Sequence, residues 1–423
     1  MIYPGFHLFN HSGFSRYLEI VGKVQTPVYV YDSSVIIHQH KNLEKLIQSL
    51  RKNIQIRYAI KANSNQAILK LICEQGSGVE VVSGGELLKA IKAGISPKEI
   101  IFSGIGKTDE EITLAIQNEI EQLSVESLEE LHVVKKIAST LQKPISIALR
   151  LNPNIEGKTH KKITTGTDKN KFGIPLGQLM EAISIAHSSS YLNFLGISVH
   201  IGSQIQDINA YRQVFGQLKT LVSSLSFEGY PVKRLDLGGG FYVPYTLSGS
   251  PQFDLQSYGQ AFSEELGNLN CGFVIEPGRY FVAESGLLLT KILYIKRTPS
   301  RIFVIVDAGM NDMMRTALYD IEHPIVLCSD KKNDTEQMIV DVVGPVCESS
   351  DFFASQISLP KNLKAGDILA ITHTGAYGSS LSSTYNSRPL IPEVMIDKGV
   401  IYLVRECITP EHLLTFETFK KLT

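Results

Sequence analysis

Lys61 stands in the run Tyr58-Ala-Ile-Lys-Ala-Asn-Ser-Asn65, where a strand-like alternation stops. Ile54, Ile56, Tyr58 and Ile60 fall on one side of that alternation, and Gln55, Arg57, Ala59 and Lys61 on the other. The ammonium therefore points away from the apolar face at the point where the strand ends. Desolvation there would free the amine for Schiff-base chemistry. Taken alone, such a lysine is more often an ordinary surface residue, because short motifs match by chance.

Other polar residues share its placement. Ser83, Ser103, Glu126, Arg150 with Asn152, and His200 each stand where a short apolar run ends. So do the triplet Gly238-Gly239-Gly240 and the run Glu276-Pro277-Gly278-Arg279. Three consecutive glycines leave backbone amides uncovered by side chains, and such amides can cradle a phosphate. A tight turn is the plainer explanation, but it needs only one or two glycines. If the cofactor is pyridoxal phosphate, a carboxylate such as Glu276 against the pyridine nitrogen keeps that nitrogen protonated, and the ring then accepts electrons and stabilises a carbanion at Cα. An ion pair with Arg279 is the alternative and is compatible with that role. His200, between Val199 and Ile201, reads as a core histidine or as a ring stacked on a flat cofactor. Cys347, in Cys347-Glu348-Ser349-Ser350-Asp351, is expected either to be simply buried or, among acidic neighbours, to remain a thiol able to give a proton.

The elements that must position these residues follow from the pattern. Strand-like runs occupy 54–60, 78–83, 99–104, 122–127, 145–151, 194–200, 234–237 and 272–276, with amphipathic stretches between them such as Gly85 to Ala93, Ser127 to Leu141 and Tyr211 to Leu225. Eight such units over roughly 225 residues have the size and rhythm of a (β/α)8 TIM-like barrel. A doubly wound sheet has the same periodicity, which does not reveal closure. In a barrel Lys61, Ser83, Ser103, Glu126, Arg150 with Asn152, His200, the glycine triplet and the Glu276 run all fall at the C-terminal face, where such enzymes carry their chemistry, and the glycine triplet falls in the usual phosphate-binding loops. After Glu276 the rhythm changes to strand-like runs at Leu287–Lys296, Ile302–Asp307, Gln337–Val343 and Asp367–Ile371. The expected organisation is a barrel over 33–277, with 1–32 and 278–423 forming a second, β-rich domain of barrel or sandwich type.

Composition narrows the class. At 423 residues the chain exceeds one ordinary core, and 43% hydrophobic with 20% charged residues is the make-up of a globular protein. With 41 basic and 42 acidic residues, nothing favours nucleic acid or an anionic membrane as partner. No apolar run approaches the roughly 18 residues that span a bilayer, and no signal peptide is read at the N-terminus. The five cysteines are scattered without metal spacing, so no metal is expected and a reducing cytoplasm suits them.

Together the motifs resemble those of the fold-type III pyridoxal-phosphate decarboxylases, and among them the enzymes acting on diaminopimelate. The resemblance runs from about residue 27 nearly to the end. Besides the Lys61 run it rests on Val82-Ser-Gly-Gly-Glu86, Phe102-Ser-Gly-Ile-Gly-Lys107, Asn170-Lys-Phe-Gly173, His200-Ile-Gly-Ser203, Gly238-Gly-Gly240 and Glu276-Pro-Gly-Arg279. Further along it rests on Asn311 to Tyr319, Cys347 to Asp351 and Gly375-Ala-Tyr-Gly378. It implies that Lys61 holds pyridoxal 5'-phosphate as a Schiff base, with Glu276 at the ring nitrogen and His200 on the ring face. Ser203, Gly238, Gly239, Gly240, Gly278 and Arg279 would lie about the phosphate, with Tyr377 approaching from the second domain. Arg279, Arg315, Tyr319 and Tyr377 would bind the substrate, Glu348 would take its distal ammonium, and Cys347 would be the proton donor. Cys347 and Glu348 would come from a neighbouring subunit, so the resemblance implies a homodimer with shared sites. The reaction implied is decarboxylation of meso-2,6-diaminopimelate to L-lysine.

Three positions depart from the family's pattern. Glu80 stands where aspartate is frequent, Thr316 follows Arg315 where proline is usual, and Tyr280 follows Arg279 where a small residue is common. Other substrates within the same family remain open, either an ornithine-like diamino acid or an aminoacyl group on a carrier protein. Arg315 argues against ornithine, which has no distal carboxylate. A regulator without turnover should have lost Lys61 or Cys347, and a racemase should carry arginine in place of Glu276.

Overall fold

The computed structural model describes residues 11–153, 171–247, 250–329 and 336–420. Asn170, the first residue of the Asn170-Lys-Phe-Gly173 segment, lies outside them. The chain divides into two compact units. One comprises Gln39–Val243 and Pro251–Tyr280; the other gathers the chain up to His38, Pro244–Ser250 and Phe281 onward.

The chain's first strand, β1 (Val28–Asp32), belongs to the second of these units. In the other unit, eight parallel strands among the described residues close a barrel: β2 (Ile54–Ala59), β3 (Gly78–Val81), β4 (Ile100–Phe102), β5 (Gln122–Val125), β6 (Ile145–Leu151), β7 (Leu192–Val199), β8 (Arg234–Asp236) and β9 (Gly272–Ile275). Closure is made where Ile54 of β2 pairs with Phe273 of β9, which excludes the open doubly wound sheet. Several strands stop a residue or two earlier than the apolar runs suggest, because the next residues start helices. Ser83 caps the helix Gly84–Lys92 by accepting the Glu86 N–H, and Ser127 does the same for Leu128–Leu141 at the Glu130 N–H.

Both faces of β2 are buried: Tyr58, Ala59 and Arg57 are all nearly inaccessible. The polar side of the alternation is therefore the barrel interior. Arg57 Nε donates to Glu121 Oε2 (2.7 Å), and Arg234 Nη2 donates to Glu121 Oε1 (2.7 Å) and Gln55 Oε1 (3.1 Å). Strands that are not neighbours in the sheet can meet this way only across the interior, so an ion-paired layer floors the barrel. At the other end Glu126, just after β5, ties three segments together. It accepts from Gly104 N (3.2 Å), Gly173 N (3.1 Å) and Arg150 Nη1 (2.7 Å). Multiple charge-assisted bonds of this kind fix the loops on which the polar residues ride.

The second unit is β-rich. It comprises β1 with β10 (Gly286–Arg297), β11 (Ile302–Val306), β12 (Ile325–Leu327), β13 (Gln337–Val343), β14 (Phe352–Pro360), β15 (Ile368–Thr372), β16 (Glu393–Asp397) and β17 (Val400–Arg405). They form one sheet in the order β14-β13-β11-β10-β1-β16-β17, with β15 also on β10 and β12 on β15. β1 lies between β10 and β16, so its Val28 and Val30 enter a core with Leu287, Leu289, Val394 and Ile396. No helix among the described residues is long and apolar enough to cross a membrane.

Candidate active site

Lys61 is not on β2 itself. The strand ends at Ala59, and Ile60–Ala62 form a single 3-10 turn. Ile60 and Ala62 anchor that turn in the core while the lysine side chain remains 38% exposed. Its Nζ meets Glu80 Oε2 at 3.2 Å, and Glu80 is buried on β3. Gly278 packs against this turn, since a Cβ there would lie 3.1 Å from Ala59 Cβ and 3.2 Å from Ala62 Cβ.

Three buried carboxylates gather on the same side. Glu276 and Asp236 are hydrogen-bonded to one another, and Asp236 Oδ1 also accepts the Gly238 N–H at 3.1 Å. Burial, then the Asp236 and Glu80 carboxylates, push Glu276 well above the usual carboxylate range, with Lys61 acting the other way. Burial raises Asp236 as well. Burial and mutual repulsion thus disfavour two full negative charges on the pair. Glu276 Oε1 is buried and has no hydrogen-bond partner among the described residues. A buried acceptor left without a donor costs about 1–3 kcal/mol, so this atom is suited to a donor brought by a ligand.

His200 follows β7. Burial, with Lys61 and Arg150 adding to it, holds the ring well below the ordinary histidine range, so it is neutral. Its Nδ1 accepts the Gly239 N–H at 3.3 Å, which leaves the proton on Nε2. The glycine triplet is dictated by close approach. A Cβ on Gly238 would sit 2.6 Å from His200 Nδ1, on Gly239 2.2 Å from Glu276 O, and on Gly240 2.4 Å from Gly202 O. Gly238 and Gly240 also have φ of 65° and 93°. Backbone packing thus requires all three glycines, whatever ligand the loop meets. Arg279, also buried, donates from Nη2 to Ser203 Oγ at 3.2 Å. Tyr280, one of the departures, packs its ring at 5.9 Å from that of Phe241 in an aromatic cluster with Tyr211, Phe253 and Tyr258. It is a core residue.

The β-rich unit carries its own constellation. Arg315 opens the short helix Arg315–Tyr319 and is only 1% exposed. Its Nη1 donates to Tyr245 Oη (2.8 Å) and to His323 Nε2 (3.1 Å), and the guanidinium lies 4.7 Å from the centre of the Tyr245 ring. Thr316, the second departure, is buried in the same helix. Cys347 is exposed, contrary to the expectation of a buried thiol. Its N–H donates to Asn386 Oδ1 (3.0 Å), and Tyr385 Oη donates to Glu348 Oε2 (2.8 Å), so two neighbouring residues of another loop hold the Cys-Glu pair. Tyr377 sits at φ 56°, a left-handed conformation. Asp236, Tyr245, His323, Tyr385 and Asn386 were not singled out by the sequence reading. Only Asp236 had a local signal, its place two residues ahead of the glycine triplet.

A barrel mouth with a lysine, a neutral histidine and an unsatisfied buried carboxylate is that of a cofactor-dependent enzyme working at an amino group. The model of the pyridoxal-dependent decarboxylases, pyridoxal binding domain, matches residues 33–283. Diaminopimelate decarboxylase of Aquifex aeolicus is 38% identical over 391 residues, 92% of this chain and 90% of that one. The crystal structure of diaminopimelate decarboxylase from Helicobacter pylori complexed with L-lysine superposes with a TM-score of 0.89 at 39% identity, covering 94% of this chain and 98% of that one. The enzyme from M. jannaschii, also in complex with L-lysine, gives 0.88 at 35% identity, with 96% and 94% covered. The chain belongs to the pyridoxal-dependent decarboxylases.

Its cofactor is pyridoxal phosphate, and the residues present fit it. A protonated pyridine nitrogen would supply the donor that Glu276 Oε1 lacks, and Lys61 offers an amine. A guanidinium at Arg279 can meet a phosphate.

Proposed function

We infer that the chain removes one carboxylate from meso-2,6-diaminopimelate, giving L-lysine and CO2. The observation that carries the substrate is Arg315, a guanidinium buried and braced by Tyr245 and His323. The two ends of meso-diaminopimelate bear the same groups in opposite configuration. To give L-lysine the carboxylate leaves the D-configured end, the one at the L-configured end persists in the product, and a fixed guanidinium is the group to grip it.

Lys61 would hold the cofactor, Glu276 its ring nitrogen and His200 its face. Gly238 and Gly239 commit their N–H groups inside the protein, which leaves Gly240 of the triplet to meet the phosphate beside Ser203, Gly278 and Arg279. Bound there, pyridoxal phosphate would supply the electron sink for the breaking Cα–carboxylate bond. Glu276 keeps that sink cationic. Arg315, Arg279, Tyr319 and Tyr377 hold the substrate so that the breaking bond has one orientation, and proximity of this kind replaces a large entropic cost. Glu348 takes the distal ammonium. Cys347 Sγ then gives a proton to Cα. The exposure of Cys347 and Glu348 supports a reading in which they serve a second copy's cofactor, as a homodimer with shared sites. The five cysteines, unpaired, support work in a reducing cytoplasm.

The test is product analysis with pyridoxal phosphate and either meso-diaminopimelate or ornithine, alongside Arg315→Ala. Losing a desolvated charge partner costs about 2–5 kcal/mol, or roughly 30-fold to several thousand-fold in kcat/KM. Preference for ornithine, or an Arg315→Ala protein as efficient on diaminopimelate as the wild type, would sink the assignment.

A further inference from the structure

We propose that Tyr245 and His323 are specificity-determining positioning residues: they aim Arg315 so that the site selects ligands bearing a distal carboxylate. The inference rests on the reading of Arg315 as the group that grips that carboxylate, and it identifies what makes the grip selective.

The geometry is over-determined. A guanidinium Nη1 has two hydrogens, and both are accounted for, one on Tyr245 Oη at 2.8 Å and one on His323 Nε2 at 3.1 Å. The third constraint is the Tyr245 ring, 4.7 Å from the guanidinium carbon, a cation–π contact. His323 is itself locked. It is 2% exposed, and its Nδ1 lies 2.7 Å from the Thr372 carbonyl oxygen. A carbonyl can only accept, so the ring proton is on Nδ1 and Nε2 is the acceptor that Arg315 needs. The Tyr245 and His323 rings meet edge to face, with centroids 4.8 Å apart, so each also fixes the other. Tyr245, His323 and Thr372 come from three different segments, and a buried cation needs such bracing, since its desolvation is otherwise uncompensated. An arginine so held cannot swing to accommodate a ligand whose far end is a bare amine.

The ligand pair that isolates this function is L-lysine and 1,5-diaminopentane. They share chain length and amines and differ by the carboxylate that Arg315 would hold. Binding of each to the holoenzyme is measured by calorimetry for wild type, His323→Leu, Tyr245→Phe, Arg315→Ala and the Arg315→Ala/His323→Leu double variant. The wild type should prefer L-lysine. Arg315→Ala should abolish most of that preference. His323→Leu, which leaves a guanidinium N–H without its acceptor, should lower it by about tenfold or more. His323→Gln, which can return an acceptor near the position of Nε2, should recover part. In the Arg315→Ala background His323→Leu should add nothing, because residues acting through one group are not additive. A merely structural histidine would weaken both ligands equally, and its effect would add to that of Arg315→Ala; either result overturns the proposal. Should His323→Leu fail to fold, Tyr245→Phe decides, since it removes one hydroxyl only; an unchanged preference in that variant counts against the proposal. If Arg315→Ala itself leaves the preference intact, the fault lies in the reading of Arg315, an outcome distinct from the others.

Discussion

Lys61 Nζ stands 3.2 Å from Glu80 Oε2, the carboxylate buried and the lysine side chain more than a third exposed. The buried partner is thus the acid, on β3, and the partly exposed partner the amine on its 3-10 turn. Aspartate at this position would be one methylene too short to make the same contact from the same backbone. Glu80 also adds to the field that raises Glu276, so it acts on both ends of the cofactor site.

Glu80→Gln should therefore disfavour the protonated form of the nitrogen linked to Lys61, because an anion beside a cation stabilises it. In the holoenzyme the pH midpoint of the visible absorption should move to lower pH. Glu80→Asp should give an intermediate midpoint. A midpoint unmoved by Glu80→Gln would mean that the ion pair is broken once the cofactor is bound.

Glu276→Gln keeps the shape of the side chain but cannot hold a proton on a pyridine nitrogen by charge. The expectation is a fall in kcat of roughly 10²–10³, the scale for losing one preorganised electrostatic group, with the cofactor still bound by its absorption. Activity within threefold of wild type would remove Glu276 from the ring nitrogen.

The proposed homodimer with shared sites makes a complementation prediction. Lys61→Ala and Cys347→Ala proteins should each lose most activity, on the order of a hundredfold or more for groups doing nucleophilic or proton-transfer work. If Cys347 serves the partner's cofactor, random exchange makes half the dimers hybrid, and one site of each hybrid keeps both groups. About a quarter of wild-type activity should return, as symmetry of a two-fold dimer dictates. No recovery after verified exchange would put Cys347 in its own subunit's site or outside the chemistry.

The barrel was legible because its signals are local. Eight runs such as Ile145–Leu151 carry their own β-branched pattern, and residues like Lys61, His200 and Glu276 stand out by being polar where such a run ends. The β-rich unit was legible only in part. β1 pairs with β10 and β16, more than 250 residues away, so nothing in its vicinity names its partners. β17 is a strand with exposed Val400, Tyr402 and Leu403 on an edge, where alternation is lost. The bracing of Arg315 was hidden for the same reason: Tyr245 lies 70 positions from it and Thr372, which locks His323, 49 positions from that histidine. The coupling of Asp236 with Glu276 was hidden because Asp236 ends β8 and Glu276 follows β9, and only the pairing of those strands brings the two carboxylates together.

His373 gives an acid-side prediction for the β-rich unit. Its ring is buried, with Nδ1 2.7 Å from Thr372 Oγ1, and burial lowers its pKa to about 4. An exposed histidine titrates near 6.5. Above that pH the ring is neutral in the folded and unfolded chain alike. As pH falls from about 6.5 towards 4, the unfolded chain binds a proton that the folded chain does not, so stability falls with pH. At about 1.4 kcal/mol per pKa unit the contribution lost over this window is about 3 kcal/mol. His373→Asn suits the test, because the residue sits at φ 57° and asparagine tolerates the left-handed region without titrating. Other groups, His200 among them, cancel when the two proteins are compared. Urea unfolding at pH 7 and at pH 4.5 should show the variant losing less stability than wild type by up to this amount, whatever their difference at pH 7. Parallel losses in the two proteins would mean that His373 is hydrated enough to take its proton in the folded state.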